Sequence, residues 1–164
     1  MKLHGFIKEN DGLYALSRTV NDKDILAAAK EILTRRFRRG TQLSSPHETK
    51  DYLISQISHL EHEVFFMIFL DNKHRILASE IMFKGTIDGA SVYPRECVKR
   101  ALLLNAAACI LSHNHPSGVS TPSISDKQIT SKIKDAMALV DIRILDHIII
   151  AGTETYSFAE SGLM

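Results

Sequence analysis

The chain has 164 residues, of which 45% are hydrophobic and 24% are charged, and its formal net charge is +1. This composition predicts one compact globular domain and gives no general preference for nucleic acid. No apolar run approaches the ~18 residues of a membrane span, no leader is visible, and Cys97 and Cys109 lack a disulfide or metal spacing. We therefore expect a cytoplasmic protein, without a membrane association, whose thiols lie in the core.

Residues 1–44 are predicted to form an N-terminal extension with one helix. Residues 1–20 show no clear period and indicate a loose extension or a covering strand. The helix should begin near Asn21, where apolar residues start to recur at helical spacing, and end at Gly40. The basic run 35–39 falls in its last turn, where cations suit the helix dipole. We interpret this run as a solvated helix end rather than a phosphate-binding patch.

A second unit, residues 45–164, is predicted to open with a helix. Ser45 suits the N-cap, Pro46 the first helical position, and Glu48 would complete a capping box. The apolar residues that follow at helical spacing should be buried, namely Leu53, Ile57 and Leu60.

The pattern then changes to that of strands. The run 64–70 is apolar on both alternating faces, which predicts a strand covered on both sides, and a turn leads into a second strand, 75–84. This order predicts an α/β domain with a mixed β-sheet flanked by helices. The later predicted elements are a helix from Pro94 that buries Val98, Ala101, Leu102 and Asn105, a strand at 106–111, a helix at 123–140, a strand at 143–151 and a short strand near Tyr156.

Two histidines one residue apart follow the predicted strand 106–111. Because residues two apart in an extended segment point to the same side, His113 and His115 can present nitrogens to one point, while Asn114 faces away. Asp126 follows on a helical face that otherwise looks buried, since its other members are Ile129, Ile133 and Ala136. An unpaired carboxylate there would be costly. Binding of a cation by these three side chains would offset that cost and leave a fourth position for water, as in catalytic zinc sites.

Simpler interpretations of the same residues stay open. Ser123 to Asp126 also matches a capping box, which needs no metal, and histidines near loops are often only hydrogen-bonded. Other hydrolase patterns are missing from the sequence: there is no HxE with a PCxxC as in zinc deaminases, no HExxH, and no GxSxG elbow.

The pattern His113-x-His115, seven residues, Ser123, two residues, Asp126 resembles the full metal signature of the JAMM (MPN-plus) metalloprotease family. The flanking segments "FKGTIDGASVYPRECVKRALLLNAAACILSHNHPSG" and "LDHIIIAG" resemble the JAB-like domain of the RadC family, and the likeness extends from about Ser45 to the C-terminus. The resemblance implies a JAMM/MPN-like layered fold similar to that of cytidine deaminases. It also implies a Zn²⁺ ion bound by His113, His115 and Asp126, and a hydrolytic water.

The resemblance also implies two catalytic side chains. A carboxylate that accepts the proton of the water should lie on the first strand after the first domain helix, and Glu63 occupies that place. Glu80, in the second strand of the hairpin, is the alternative base if the register differs. Ser123 would polarise the carbonyl oxygen or stabilise the oxyanion, with helix capping as its alternative role.

The implied activity is that of a zinc metallopeptidase or isopeptidase with a peptide or isopeptide substrate. The alternative is a non-catalytic, zinc-stabilised module that binds protein or DNA in repair or on mobile elements. We do not expect this sequence to include the helix-hairpin-helix domain of longer RadC proteins, which removes the usual argument for nucleic acid as a partner. The loops at 85–93 and 117–122 show no pattern that names a substrate.

Overall fold

Two β-sheets and four helices make up the computed structural model, which describes residues 2–9, 13–43, 45–85 and 91–164. The loop predicted at 85–93 therefore lies only partly within the described residues. In chain order the elements are β1 (Lys2–Leu3), β2 (Phe6–Lys8), β3 (Tyr14–Leu16), α1 (Asp22–Arg36), α2 (Pro46–Ile57), β4 (Val64–Leu70), β5 (Ile76–Lys84), α3 (Pro94–Leu103), β6 (Ala108–Asn114), α4 (Ile124–Ala138), β7 (Arg143–Ala151) and β8 (Glu154–Ser157).

The larger sheet has the strand order β5-β4-β6-β7-β8. It is mixed, since β6 and β7 run parallel while the other neighbouring pairs are antiparallel. Every residue of β4 and β6 is buried, because α2 packs on one face of the sheet and α3 and α4 pack on the other. The prediction of an α/β domain with a mixed sheet flanked by helices is confirmed.

The N-terminal residues form a small antiparallel sheet, β1-β2-β3, rather than one covering strand. Strands of two or three residues are too short to show an alternating pattern, which explains why the sequence did not indicate them. Helix α1 begins after Asn21 as predicted, with a capping box between Asn21 and Asp24, but it ends at Arg36, before Gly40. The predicted boundary between residues 44 and 45 stays a prediction.

Phe37 connects this N-terminal part to the larger sheet. Although it lies inside the basic run, its side chain is only 5% exposed and joins the core on the α2 face. Its ring stacks on Tyr52 of α2 with 4.2 Å between the ring centroids. The basic run is therefore interrupted by a core residue, while its neighbours Arg38 and Arg39 are exposed.

Two local predictions about helices were wrong in part. Ser45 takes the N-cap position of α2, but its side chain makes no capping hydrogen bond; instead the Thr49 hydroxyl donates to the Ser45 carbonyl oxygen at 3.1 Å. Helix α3 buries Cys97 and Ala101, whose small side chains let the helix lie close to the sheet, and leaves Leu102 49% exposed.

Both cysteines lie in the core, as predicted. Cys97 and Cys109 are buried, free thiols, and burial raises the pKa of each to about 12. Within the described ranges, none of the helices combines the length and the apolar character that crossing a membrane requires.

The stacked ring of Phe37 predicts a large effect on stability. We expect Phe37→Ala to lower the free energy of unfolding by about 3–5 kcal/mol, because it removes a buried aromatic ring and leaves a cavity beside Tyr52. Urea unfolding measures the difference. Leu26→Ala in α1, the helix that ends just before Phe37, is the control, since Leu26 is 69% exposed. Equal effects of the two substitutions would contradict the packing of Phe37 against α2.

Candidate metal centre

The end of β6 brings two histidines to the edge of the sheet. His113 is in the strand, next to Phe65 of β4 and Ile149 of β7. The backbone stays extended one residue further, because the amide of His115 donates to the Ile150 carbonyl at 2.8 Å. Both side chains therefore point to the face that α3 and α4 cover, and their Nε2 atoms lie 2.9 Å apart.

The first turn of α4 supplies the carboxylate. Asp126 and Ser123 form the predicted capping box: the Asp126 amide donates to Ser123 Oγ at 3.1 Å, and the Ser123 amide donates to Asp126 Oδ2 at 2.7 Å. The same carboxylate lies against the histidines, with Oδ1 at 3.3 Å from His113 Nε2 and Oδ2 at 3.5 Å from His115 Nε2. The capping box and the approach to the histidines thus occur together.

The buried face of α4 differs in part from the prediction. Asp126 and Ile133 are buried as expected, but Thr130 and Met137 take the places predicted for Ile129 and Ala136. Compared with the prediction, the helix is rotated about its axis so that polar Thr130 faces the sheet. There its hydroxyl is hydrogen-bonded to His147 of β7.

His113, His115 and Asp126 could hold a metal ion. One ligand atom from each lies within 4.8 Å of the other two. His115 Nδ1 lies 2.6 Å from the Val119 carbonyl, which can only accept, so Nδ1 carries a proton and Nε2 is the atom that can bind a further proton or a cation. Two imidazole nitrogens 2.9 Å apart repel unless a proton or a cation lies between them. The donor set and its geometry therefore fit a cation.

The charges at the site favour a cation as well. Burial opposes ionisation of Asp126, but a proton or a cation held at the facing Nε2 atoms of His113 and His115 outweighs it and holds the pKa of the carboxyl well below its ordinary value. The Asp126 carboxylate raises the pKa of His115 against the effect of burial. Burial lowers the pKa of His147, which lies behind His113, well below its ordinary value. The site thus holds a carboxylate anion, with a neutral imidazole behind it.

A cavity of about 600 Å³ opens in front of the ligand group. Glu63 and Ser123, the two predicted catalytic residues, both line it. Glu80 is bound elsewhere: its carboxylate accepts hydrogen bonds from Arg100 of α3 at 2.6 and 3.3 Å. The described side chains around the cavity are Glu63, Phe65, Ser91, Val92, His113, His115, Ser123, Ser125, Asp126 and Ile129.

Comparison with known proteins places the chain in a family. The model of the RadC-like JAB domain matches residues 43–163. The chain belongs to the RadC family. The resemblance drawn from the histidine and aspartate motif and its flanking segments is thereby confirmed, and the five-stranded mixed sheet agrees with a JAB/MPN-like domain.

Curated relatives of this RadC-like domain are longer than the chain. It is 54% identical to the UPF0758 protein of Stutzerimonas stutzeri over 140 residues, which are 85% of this chain and 62% of the relative. It is 58% identical to the UPF0758 protein of Nitrosococcus oceani over 128 residues, 78% of this chain and 57% of the relative. The chain therefore spans about three-fifths of the length of the curated relatives that it matches.

Asn114 of the RadC-like domain has a role that its spacing did not show. Its side chain points to the α2 face, opposite the histidines on either side, as predicted. There Oδ1 accepts from the Val64 amide at 2.8 Å, and Nδ2 donates to the carbonyls of Leu60 and His62 at 3.2 and 3.1 Å. These bonds fix the segment that carries Glu63 to the strand that carries the histidines. The only signal in the sequence was a polar residue shortly after an apolar run that predicts a buried strand.

We expect Asn114→Leu to lower the free energy of unfolding of the metal-free protein by at least about 2 kcal/mol, because each buried polar group left without a partner costs about 1–3 kcal/mol. Chemical denaturation in the presence of a chelator measures the change without a contribution from metal. Asn72→Leu in the exposed β4–β5 turn is the control. A change no larger than that of the control would contradict the role of Asn114 as a connection between the two segments.

Proposed function

We propose that this RadC-like JAB domain is a zinc-dependent metallopeptidase or isopeptidase that hydrolyses a peptide or isopeptide bond. The observation that carries the proposal is the convergence of His113, His115 and Asp126 at a cavity that Glu63 also lines. Membership of a JAB-domain family supports hydrolase chemistry at this place.

Zinc is the metal that we propose. Two imidazole nitrogens and one carboxylate oxygen are ligands that Zn²⁺ favours, and catalytic zinc sites commonly use three protein ligands. When bound, the ion would supply Lewis acidity, which activates water and polarises a carbonyl group. His113, His115 and Asp126 would hold the positive charge of the ion at the cavity.

Glu63 is the proposed general base. Its carboxylate accepts a proton from the water that adds to the carbonyl carbon, and it delivers that proton to the amine nitrogen as the carbon–nitrogen bond breaks. The carboxylate is thereby regenerated. Three hydrogen bonds to the backbone support this role by fixing Glu63 at the cavity: its carbonyl accepts from the Gly85 amide at 2.8 Å, and the Asn114 side chain bonds to the residue on either side.

Ser123 is proposed to bind the carbonyl oxygen. Its Oγ accepts a hydrogen bond from the Asp126 amide, so the hydroxyl proton is available for donation into the cavity. A donor placed there stabilises the negative charge that develops on the oxygen during addition of water. Capping of α4 and binding of the oxyanion are compatible, because the first uses the lone pair and the second uses the proton.

The compartment that we propose is the cytoplasm. Cys97 and Cys109 are free thiols, and free cysteines are typical of a reducing environment.

The metal site predicts the zinc content of the purified protein. We expect about one zinc per chain, and loss of most of it in His113→Ala and in Asp126→Ala, because two protein ligands bind more weakly than three. Elemental analysis measures the ratio. His47→Ala is the control, since His47 lies on α2 with an 82% exposed side chain. Retention of zinc in both ligand variants would show that the metal binds elsewhere.

The proposed base predicts a separation of binding from turnover. Glu63→Gln keeps the size of the side chain but removes its basicity, so we expect zinc content near wild type and hydrolysis slower by about 100-fold or more. Glu80→Gln should have a much smaller effect, because Glu80 is paired with Arg100. Cleavage of a pool of peptides and lysine-linked isopeptides, followed by mass spectrometry, measures turnover.

Two results would contradict the proposed activity. If Glu80→Gln abolishes turnover while Glu63→Gln does not, Glu80 is the base. If zinc-loaded wild-type protein cleaves nothing in the pool but binds protein or DNA equally well with and without a chelator, the site has no catalytic function.

A further inference from the structure

A third histidine lies directly behind the metal-ligand group. His147 of β7 is fully buried, and its Nε2 lies 2.8 Å from His113 Nδ1. Its ring stacks on that of Phe158 with 4.9 Å between the ring centroids. The Phe65 ring contacts the imidazole in a T-shaped arrangement, with 5.6 Å between their centroids. These aromatic contacts hold the imidazole in one orientation, so both of its nitrogens have fixed partners.

The Thr130 hydroxyl determines which atoms donate and which accept in the hydrogen bonds of His147. Its hydroxyl lies 2.5 Å from the carbonyl oxygen of Asp126, and a carbonyl can only accept, so Thr130 donates there. The same hydroxyl oxygen lies 2.6 Å from His147 Nδ1 and must therefore accept from it. His147 thus carries its proton on Nδ1, and its Nε2 is a bare acceptor.

The same reasoning fixes the position of the proton on His113, the proposed metal ligand. Because His147 Nε2 is an acceptor, His113 Nδ1 must be the donor of the 2.8 Å hydrogen bond between them. In the neutral imidazole of His113, Nε2 then has no proton, and this atom lies beside His115 Nε2 and Asp126 Oδ1. The opposite direction would leave two oxygens, of Thr130 and Asp126, in contact without a proton between them.

We propose that His147 and Thr130 are positioning residues that hold His113 in its Nδ1–H tautomer and so direct its Nε2 lone pair to the metal. The inference rests on the proposed metal site and adds the requirement that His113 be held in this tautomer. The chain of hydrogen bonds begins at one ligand, His113, and ends at the backbone carbonyl of another, Asp126. It therefore connects β6, β7 and α4 at the site.

Two matched pairs of variants test the proposal through the affinity for Zn²⁺. Thr130→Val removes the hydroxyl with little change in shape, whereas Thr130→Ser keeps it. His147→Leu removes the acceptor, whereas the carbonyl oxygen of His147→Gln can still accept from His113 Nδ1–H. Partners of this kind affect metal affinity by about 10–100-fold. Competition with a chromophoric chelator should show that Thr130→Val and His147→Leu lower the affinity for Zn²⁺ by that factor. Thr130→Ser and His147→Gln should retain most of the wild-type affinity.

The tautomer itself gives a readout that a purely structural role would not produce. In zinc-loaded wild-type protein with ¹⁵N-labelled histidine, we expect a scalar coupling across the hydrogen bond between His113 Nδ1 and His147 Nε2. The shared proton should be bonded to His113. A proton bonded to His147 Nε2 would overturn the proposal whatever the affinities are.

The remaining outcomes separate this proposal from the proposed function. If wild-type protein does not bind Zn²⁺, both fail. If it binds Zn²⁺ and hydrolyses a substrate while all four variants bind the ion equally, only the role of His147 and Thr130 is wrong. Circular dichroism of the metal-free variants shows whether each is folded. Should His147→Leu not fold, the Thr130 pair and the proton position decide the question.

Discussion

The carboxylate of Asp126 is the group on which the geometry of the site depends. A buried anion is costly unless hydrogen bonds or positive charges compensate it. Two interactions can compensate it: the Ser123 amide at the start of α4 donates to Oδ2, and a proton or a cation can be shared with the imidazoles of His113 and His115 at the end of β6. Satisfying one carboxylate therefore connects the first turn of a helix to the end of a strand. The cavity lies where these two ends meet.

The alternation of side chains along β6 separates the two halves of the site. His113 and His115 point to the face covered by α3 and α4, and Asn114 points to the face covered by α2. Asn114 binds the segment around Glu63, so the strand that presents the ligands also fixes the candidate base. A shift of the strand by one residue would exchange these faces and separate all of the groups.

The elements that the sequence predicted well are those whose burial leaves a local pattern. The bounds of β4 and β7 agree with the predicted runs, because a strand covered on both faces is continuously apolar. The approach of His113, His115 and Asp126 also followed from local spacing. Nothing local indicates that His147 lies behind His113, because the partners are 34 residues apart and meet only through the pairing of β6 with β7. The capping interpretation and the ligand interpretation of Asp126 are compatible, since Oδ2 accepts from the Ser123 amide while Oδ1 lies 3.3 Å from His113 Nε2.

The stacking of Phe158 on His147 makes the last part of the chain a support of the site. The Phe158 amide donates to the His147 carbonyl at 3.0 Å, and the neighbouring Ser157 hydroxyl donates to Asp146 at 2.6 Å. Residues beyond the final strand are therefore packed behind the ligands rather than left as a tail. For protein engineering, this means that the two ends of the domain are not equivalent as attachment points. A tag or fusion joined in place of the residues around Phe158 would remove the aromatic ring that stacks on His147. One joined beyond these residues would leave that contact intact.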